Sequence, residues 1–218
     1  MSLACCPRCE GPVRPPSLMS SDWRCDLHGA VHPYFVAPTV GLEALHHVRR
    51  NAAVPLWCPW PLLPGWTVTG VAHAGDERTG ARATALACAG PAPLGGVADL
   101  MLVAEEPGVG LGAHHAGLSG PDAGQEFTAL PDTKILVAGH PTPLWSVPAG
   151  DRRCAFVGEA LGLWLWAVLW PVDAAYVFVE HVELHDLRED VPGAMVFGAP
   201  SPYLRQAPRP HGRAPAGD

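Results

Sequence analysis

The sequence predicts an α+β protein: a short cysteine-rich knot, then a mainly antiparallel sheet with one or two helices. Three observations carry this reading. Four of the seven cysteines fall within the first 25 residues. Three segments with strand character, 66–73, 81–89 and 97–105, follow one another across connections of about seven residues, too short for a parallel crossover. Clear helical spacing of apolar residues is confined to 41–52, where Leu42, Leu45 and Val48 recur at three-residue intervals.

In chain order, residues 1–35 form the knot, with Pro15-Pro16 stiffening the excursion between its halves, and 36–40 form a connector. The helix over 41–52 is stopped by Pro55. The segment 55–66, "PLWCPWPLLPGW", is too proline-rich for a regular element, and its tryptophans are expected to cover a core edge. The three strands are bounded by "AGDERTG" and "GPAPLGG" turns. A long glycine-rich loop spans 107–125. Strands at 134–139 and 143–147 flank "HPT". Residues 155–170 allow a helix or a strand. Gly158 and Gly162 disfavour the helix, so a strand ending at Pro171 is predicted, with Trp164, Trp166, Val168 and Trp170 on one face. Residues 176–189 are expected to begin as a strand and turn helical near His181. The chain divides into a knot (1–35), an α+β domain (41–199) and a disordered Pro/Arg/Gly-rich tail (200–218). The knot is expected to fold on its own, leaving the domain intact when its metal is removed.

Composition narrows the function. Of 218 residues, 48% are hydrophobic, enough for a sizeable core. The net charge is −7, and residues 41–200 alone carry eight basic against seventeen acidic side chains. Such a domain repels a phosphate backbone, so nucleic acid is excluded as a first partner. The N-terminus lacks a basic region followed by an apolar one, and the longest apolar run, 160–170, is too short for a bilayer span of about 20 residues. A cytoplasmic protein that does not span a membrane is expected, and there thiols and metal thiolates outnumber disulfides.

The chemistry sits in the knot. Cys6-Pro-Arg-Cys9 and Cys25-Asp-Leu-His28 form two pairs at two-residue spacing, fifteen residues apart, each pair followed by a nearby glycine. Structural zinc takes four sulfur or nitrogen ligands from two tight turns, so Cys6, Cys9, Cys25 and His28 are the predicted zinc ligands. A reduced, metal-free cluster and a redox C-x-x-C are the alternatives; the latter lacks the βαβ context it needs. Cys5 is read as a spare thiol, His32 as a poor competitor of His28, and Cys58, Cys88 and Cys154 as buried inert thiols.

Elsewhere the densest group of proton-transfer residues is Glu105, Glu106, His114 and His115, with Glu159 placed before the most apolar run. These form a speculative ligand site against a plainer reading as loop and strand-edge residues. "GVGLG" at 108–112 lacks the helix that a dinucleotide fingerprint requires. Asp76-Glu77-Arg78 reads as an ordinary hairpin turn. No catalytic residue is assigned.

The stretches "CPRC", "WRCDLHG", "PWPLLPGW", "EEPGVGLGA" and "GEALGLWLWAVLWP" together resemble an uncharacterised actinobacterial family with an N-terminal zinc ribbon, and the resemblance runs along nearly the whole chain. It implies Cys6, Cys9, Cys25 and His28 as ribbon ligands and brings no function with it. Members are sometimes labelled phosphotransacetylase; that class is larger and of different α/β architecture, and no phosphate cradle is visible here. The expected function is a zinc-stabilised, non-enzymatic binding or regulatory module acting through a protein partner. The alternative is an enzyme or small-ligand-binding protein using the loop around 105–115.

Overall fold

The computed structural model describes residues 3–18, 20–124, 130–179 and 181–204. The fold is α+β, dominated by one large, mainly antiparallel sheet. Three short strands, β1 (Val13–Arg14), β2 (Arg24–Cys25) and β3 (Gly29–Ala30), make the knot's own small sheet. The remaining strands are β4 (Tyr34–Val36), β5 (Trp57–Pro59), β6 (Thr67–Asp76), β7 (Gly80–Pro91), β8 (Val97–Glu105), β9 (Thr133–Val137), β10 (His140–Val147), β11 (Cys154–Ala160), β12 (Leu163–Trp170) and β13 (Glu183–Asp186). They run in the order β4-β6-β7-β8-β12-β11-β10-β9-β13-β5, antiparallel except where β13 meets β9. The far end curls back: β5 touches β7 and β8, and Thr84 Oγ1 donates to the Pro55 carbonyl. Two helices, α1 (Leu42–Asn51) and α2 (Leu111–Ala116), and a 3₁₀ helix (Val172–Val179) complete the described elements.

Both faces of the central strands are buried. One face carries Leu86, Leu100, Leu102, Leu165 and Leu169 and is covered by α1, the 54–58 segment and the 3₁₀ helix. The other carries Ala85, Ala87, Met101, Val103, Trp166 and Val168 and is covered by α2, Tyr34, Cys5 and Leu204. Two-sided burial explains why β12, "LWLWAVLW", is apolar throughout. Burying each of its large side chains contributes about 1.5–3 kcal/mol. β7 is rich in alanine, a weak strand former; its alanines face Ala72 and Ala74 of β6 across the ladder, so packing overrides propensity.

The knot is built into this sheet. β4 continues from it and pairs with β6, Cys5 bridges Tyr34, and both residues are buried in the second core. Of the predicted tail, residues 200–204 pack: Ser201 N donates to the Thr69 carbonyl, Tyr203 stacks on Trp170 at 4.2 Å, and Leu204 is buried. The rest of the predicted tail, 205–218, lies outside the described residues.

Several local expectations change. Residues 155–170 are two strands, β11 and β12, joined at Leu161-Gly162, both with positive φ (58° and 76°). This is the geometry of a two-residue hairpin with both turn residues left-handed, and leucine there hides the signal that asparagine would give. The predicted face of Trp164, Trp166, Val168 and Trp170 holds. The glycine-rich 107–125 loop contains α2. Residues 176–189 reverse the expected order: a 3₁₀ helix precedes strand β13, because Phe178 turns into the core against Phe156 at 5.4 Å. The proline-rich 55–66 segment supplies β5, an outermost strand where a proline removes no ladder bond. The turn between β9 and β10 is Ala138-Gly139, with φ of 48° and 78°, so "HPT" opens β10.

The two hairpins make a stability prediction. Ala138 and Leu161 are both exposed and both held in the left-handed region, where a side chain other than asparagine or glycine costs energy. Ala138→Asn and Leu161→Asn are each expected to raise the unfolding free energy, by up to about 1 kcal/mol. Chemical denaturation of the single variants checks this; a decrease for both would show that the turns are not strained.

Candidate metal centre and its docking surface

Each knuckle of the knot is a tight turn. In the first, Glu10 N donates to the Cys6 carbonyl and Cys6 N to the Gly11 carbonyl, both at 2.8 Å. The left-handed residue is Glu10 (φ 54°); Gly11 instead leaves room for the Cys9 sulfur, which a Cβ would approach to 3.3 Å. In the second, Gly29 takes the left-handed conformation (φ 69°). These turns bring Cys6 Sγ, Cys9 Sγ, Cys25 Sγ and His28 to within 4.8 Å of one another, a group able to hold a metal ion. Cys6 Sγ lies 3.5 Å and Cys25 Sγ 3.7 Å from His28 Nδ1, and Cys9 Sγ lies 3.8 Å from Cys25 Sγ. Burial, reinforced by the neighbouring Cys9 and Cys25, pushes the Cys6 thiol up to about 12. Burial also acts on Cys25, but the Leu27 and His28 amides and the adjacent thiols outweigh it and hold its pKa below the ordinary value. A cation at the centre would take the place of these protons. Cys5 stays outside the group, its thiol directed to the Tyr34 carbonyl, and His32 faces a cleft elsewhere.

The first knuckle docks on the loop between β8 and α2. Arg8, between the two cysteines, donates through Nε to the Val109 carbonyl at 3.1 Å and through Nη2 to the Gly108 carbonyl. Glu10 Oε1 lies 3.5 Å from His114 Nε2 on α2. From the other side, Asp122 Oδ1 accepts from Gly108 N at 2.7 Å and from Trp164 Nε1 at 3.1 Å. Arg8 sits in plain sight inside "CPRC", but nothing local indicates what it reaches; its partners lie a hundred residues away.

In the speculative group over 105–115 and 159, the His114 and His115 rings lie 5.5 Å apart, while the Glu105 and Glu106 carboxylates turn to other partners. Glu105, at the end of β8, is buried, and its carboxylate accepts from Leu111 N (2.7 Å) and Gly112 N (3.2 Å), capping α2. Gly112 is needed there, since a Cβ would come within 2.1 Å of the Trp166 indole. Glu106 pairs with Arg82 at 2.6 Å. His115 is buried under α2, its ring edge-on to Tyr34. Glu159 is exposed on β11, opposite Trp164. Cys58 and Cys88 are fully buried and Cys154 is partly buried.

Burial pushes the Glu105 carboxyl up to about 7, against the α2 amides and the Trp166 indole, which lower it. Trp166 Nε1 makes no well-formed hydrogen bond among the described residues, yet lies near enough to favour the charge. Burial pushes His115 down to about 3 and His73 down to about 4. The signs oppose. Between about 4.5 and 7 the folded state holds a proton on Glu105 that the unfolded state has lost, so Glu105 withdraws stability as pH rises. Below 6.5 the unfolded histidines bind protons that the folded ones refuse, so stability falls as pH drops. Glu105→Gln keeps an acceptor for α2 without the charge. Its stability relative to the wild type is expected to improve by about 2.5 kcal/mol between pH 5 and pH 8. Denaturant titrations at both pH values measure this; an unchanged difference would place the titration elsewhere.

Among the described residues no helix is long and apolar enough to cross a membrane. No curated protein and no solved structure matches the chain. One family model, that of a family of unknown function (DUF6758), matches residues 1–204. That match covers nearly the whole chain, knot and sheet together, and the protein belongs to that family.

Proposed function

We propose that the protein is a zinc-stabilised, non-catalytic binding or regulatory module of the cytoplasm that acts through a protein partner. The observation that carries the metal is the spacing of the donors. A tetrahedral zinc with Zn–S of about 2.3 Å and Zn–N of about 2.0–2.1 Å sets its ligands about 3.8 Å apart for sulfur pairs and about 3.6 Å apart for sulfur and nitrogen. The three separations of 3.5, 3.7 and 3.8 Å match these edges. Three thiolates and an imidazole favour zinc over hard cations such as calcium or magnesium, and four protein ligands close the coordination sphere, as in structural sites.

The non-catalytic reading rests on the residues that could have moved protons. Glu105 is engaged by helix amides, Glu106 by Arg82, and His114 faces Glu10. For a partner, the 3₁₀ helix leaves Val172, Tyr176 and Val179 exposed, and apolar side chains exposed on an acidic domain suit another protein rather than a polyanion.

Protein purified without added metal is expected to carry about one zinc per chain, and Cys6→Ser/Cys9→Ser to carry almost none; elemental analysis decides, and zinc retained by the double variant would remove the assignment. Because the knot roofs the second core, chelation is expected to lower the melting temperature of the whole domain. Near-UV circular dichroism of the buried tryptophans follows it, and an unchanged melting curve would make the knot an independent appendage. The zinc-loaded chain is expected to capture a discrete cytoplasmic protein that the chelated chain does not. Turnover of a substrate by the zinc-loaded chain would overturn the non-catalytic reading.

A further inference from the structure

A cleft of about 370 Å³ opens where the knot meets the body of the protein. Three segments far apart in sequence form its walls: the knot, the β6–β7 turn and the β8–α2 loop. Its size falls within the range of small-molecule sites. Its charges fall into two classes. Glu106 is neutralised by Arg82 at 2.6 Å, and Asp22 lies 4.0 Å from Arg78. Arg8 and Asp76 are different. The hydrogen bonds of Arg8 go to neutral carbonyls, and among the described residues no carboxylate pairs with it. Asp76 Oδ1 accepts from the Arg78 and Thr79 amides and the Thr79 hydroxyl; the Arg78 guanidinium is near enough to favour its charge but forms no ion pair with it, and its contact is with Asp22. Among the described residues the cleft therefore carries one positive group on the knot and one negative group on the hairpin that are not in ion pairs.

His32, half-buried, also lines the cleft, within the electrostatic reach of Arg8, Asp76, Arg82 and Glu106. Burial, with the two guanidiniums, lowers its pKa below the ordinary value, and it has no hydrogen-bond partner among the described residues. Its ring is a neutral donor and acceptor available to a ligand. Trp23, edge-on to Phe35, adds an aromatic wall.

We infer that this cleft binds a small zwitterion, a free α-amino acid or a short peptide, with its carboxylate toward Arg8, its ammonium toward Asp76 and its side chain against Trp23. A simple anion would meet Asp22, Asp76 and Glu106, and a simple cation would meet Arg8 and Arg78; only a molecule carrying both charges complements both ends. The site goes beyond the zinc reading but needs the knot folded, so it is tested on the full zinc-loaded chain with metal content measured in each sample. A binding failure at full zinc content then counts against the cleft alone.

The probes are L-phenylalanine and glycyl-phenylalanine, with phenylacetate and phenethylamine as singly charged controls, titrated calorimetrically to about 10 mM, below which even weak sites register. At least one zwitterion is expected to bind about tenfold or more tightly than both controls, the worth of a charged hydrogen bond. The amino acid binding alone would identify a free amino acid site, and the dipeptide alone a peptide site. Asp76→Asn retains the Oδ1 acceptor that holds the hairpin turn and removes the charge. It is expected to weaken the zwitterion about tenfold and to leave phenylacetate binding the same or tighter, since a like charge is removed. No heat with either zwitterion, equal binding of phenylacetate, or unchanged affinity in Asp76→Asn would overturn the inference.

Discussion

The sheet is buried on both faces, and this condition shapes the rest of the molecule. A strand such as β12 that is apolar throughout needs a cover on each side. One face is covered by α1, the 54–58 segment and the 3₁₀ helix, which bring large apolar side chains of their own. Among the described residues, the other is covered by a six-residue helix, the residues flanking it, Cys5, Tyr34 and Leu204. Tyr34, Cys5 and Leu204 are therefore structural members of the core, and the cysteine knot beside them forms part of the roof.

That arrangement gives the first knuckle two tasks. Cys6 and Cys9 hold one side of the ligand group, while Arg8 between them and Glu10 after them reach the β8–α2 loop. The loop is gripped on its other side by Asp122 and is capped from within by Glu105. A metal held by this group would therefore set Arg8 along with the knuckle, and through it the seat of α2. A short helix with few residues to bury is stable only when its surroundings hold it. The coupling of knuckle, loop and helix is a consequence of where Arg8 falls, between Cys6 and Cys9.

The same docking makes the cleft. A knot that packs against a sheet over a limited contact leaves a seam, and the seam is lined by whatever polar residues the two parts present. Here the knot presents Arg8 and His32, and the hairpin presents Asp76. Ordinary turn chemistry places Asp76: it closes its own turn with Thr79 and Arg78. Its second role arises from the proximity of the knot.

Sequence alone determined the features that depend on short-range spacing. The two cysteine and histidine pairs, the meander of β6, β7 and β8, helix α1 and the tryptophan face of β12 all rest on residues a few positions apart, where periodicity and ligand spacing are readable. Tertiary structure decided everything that depends on an override or on distance. Leu161 accepts a left-handed turn because the β11–β12 ladder holds it there. "YVFV" becomes 3₁₀ helix because Phe178 gains more from meeting Phe156 than from extending a strand. "LGAHHA" becomes α2 because Glu105 satisfies its first amides. Glu105, Glu106, His114 and His115 are neighbours in sequence and suggest one site, yet the end of a strand and the start of a helix send them to four different partners. Arg8 meets Val109, and His32 shares a cleft with Asp76, only because the knot folds back onto the sheet, and a linear pattern holds no record of that approach.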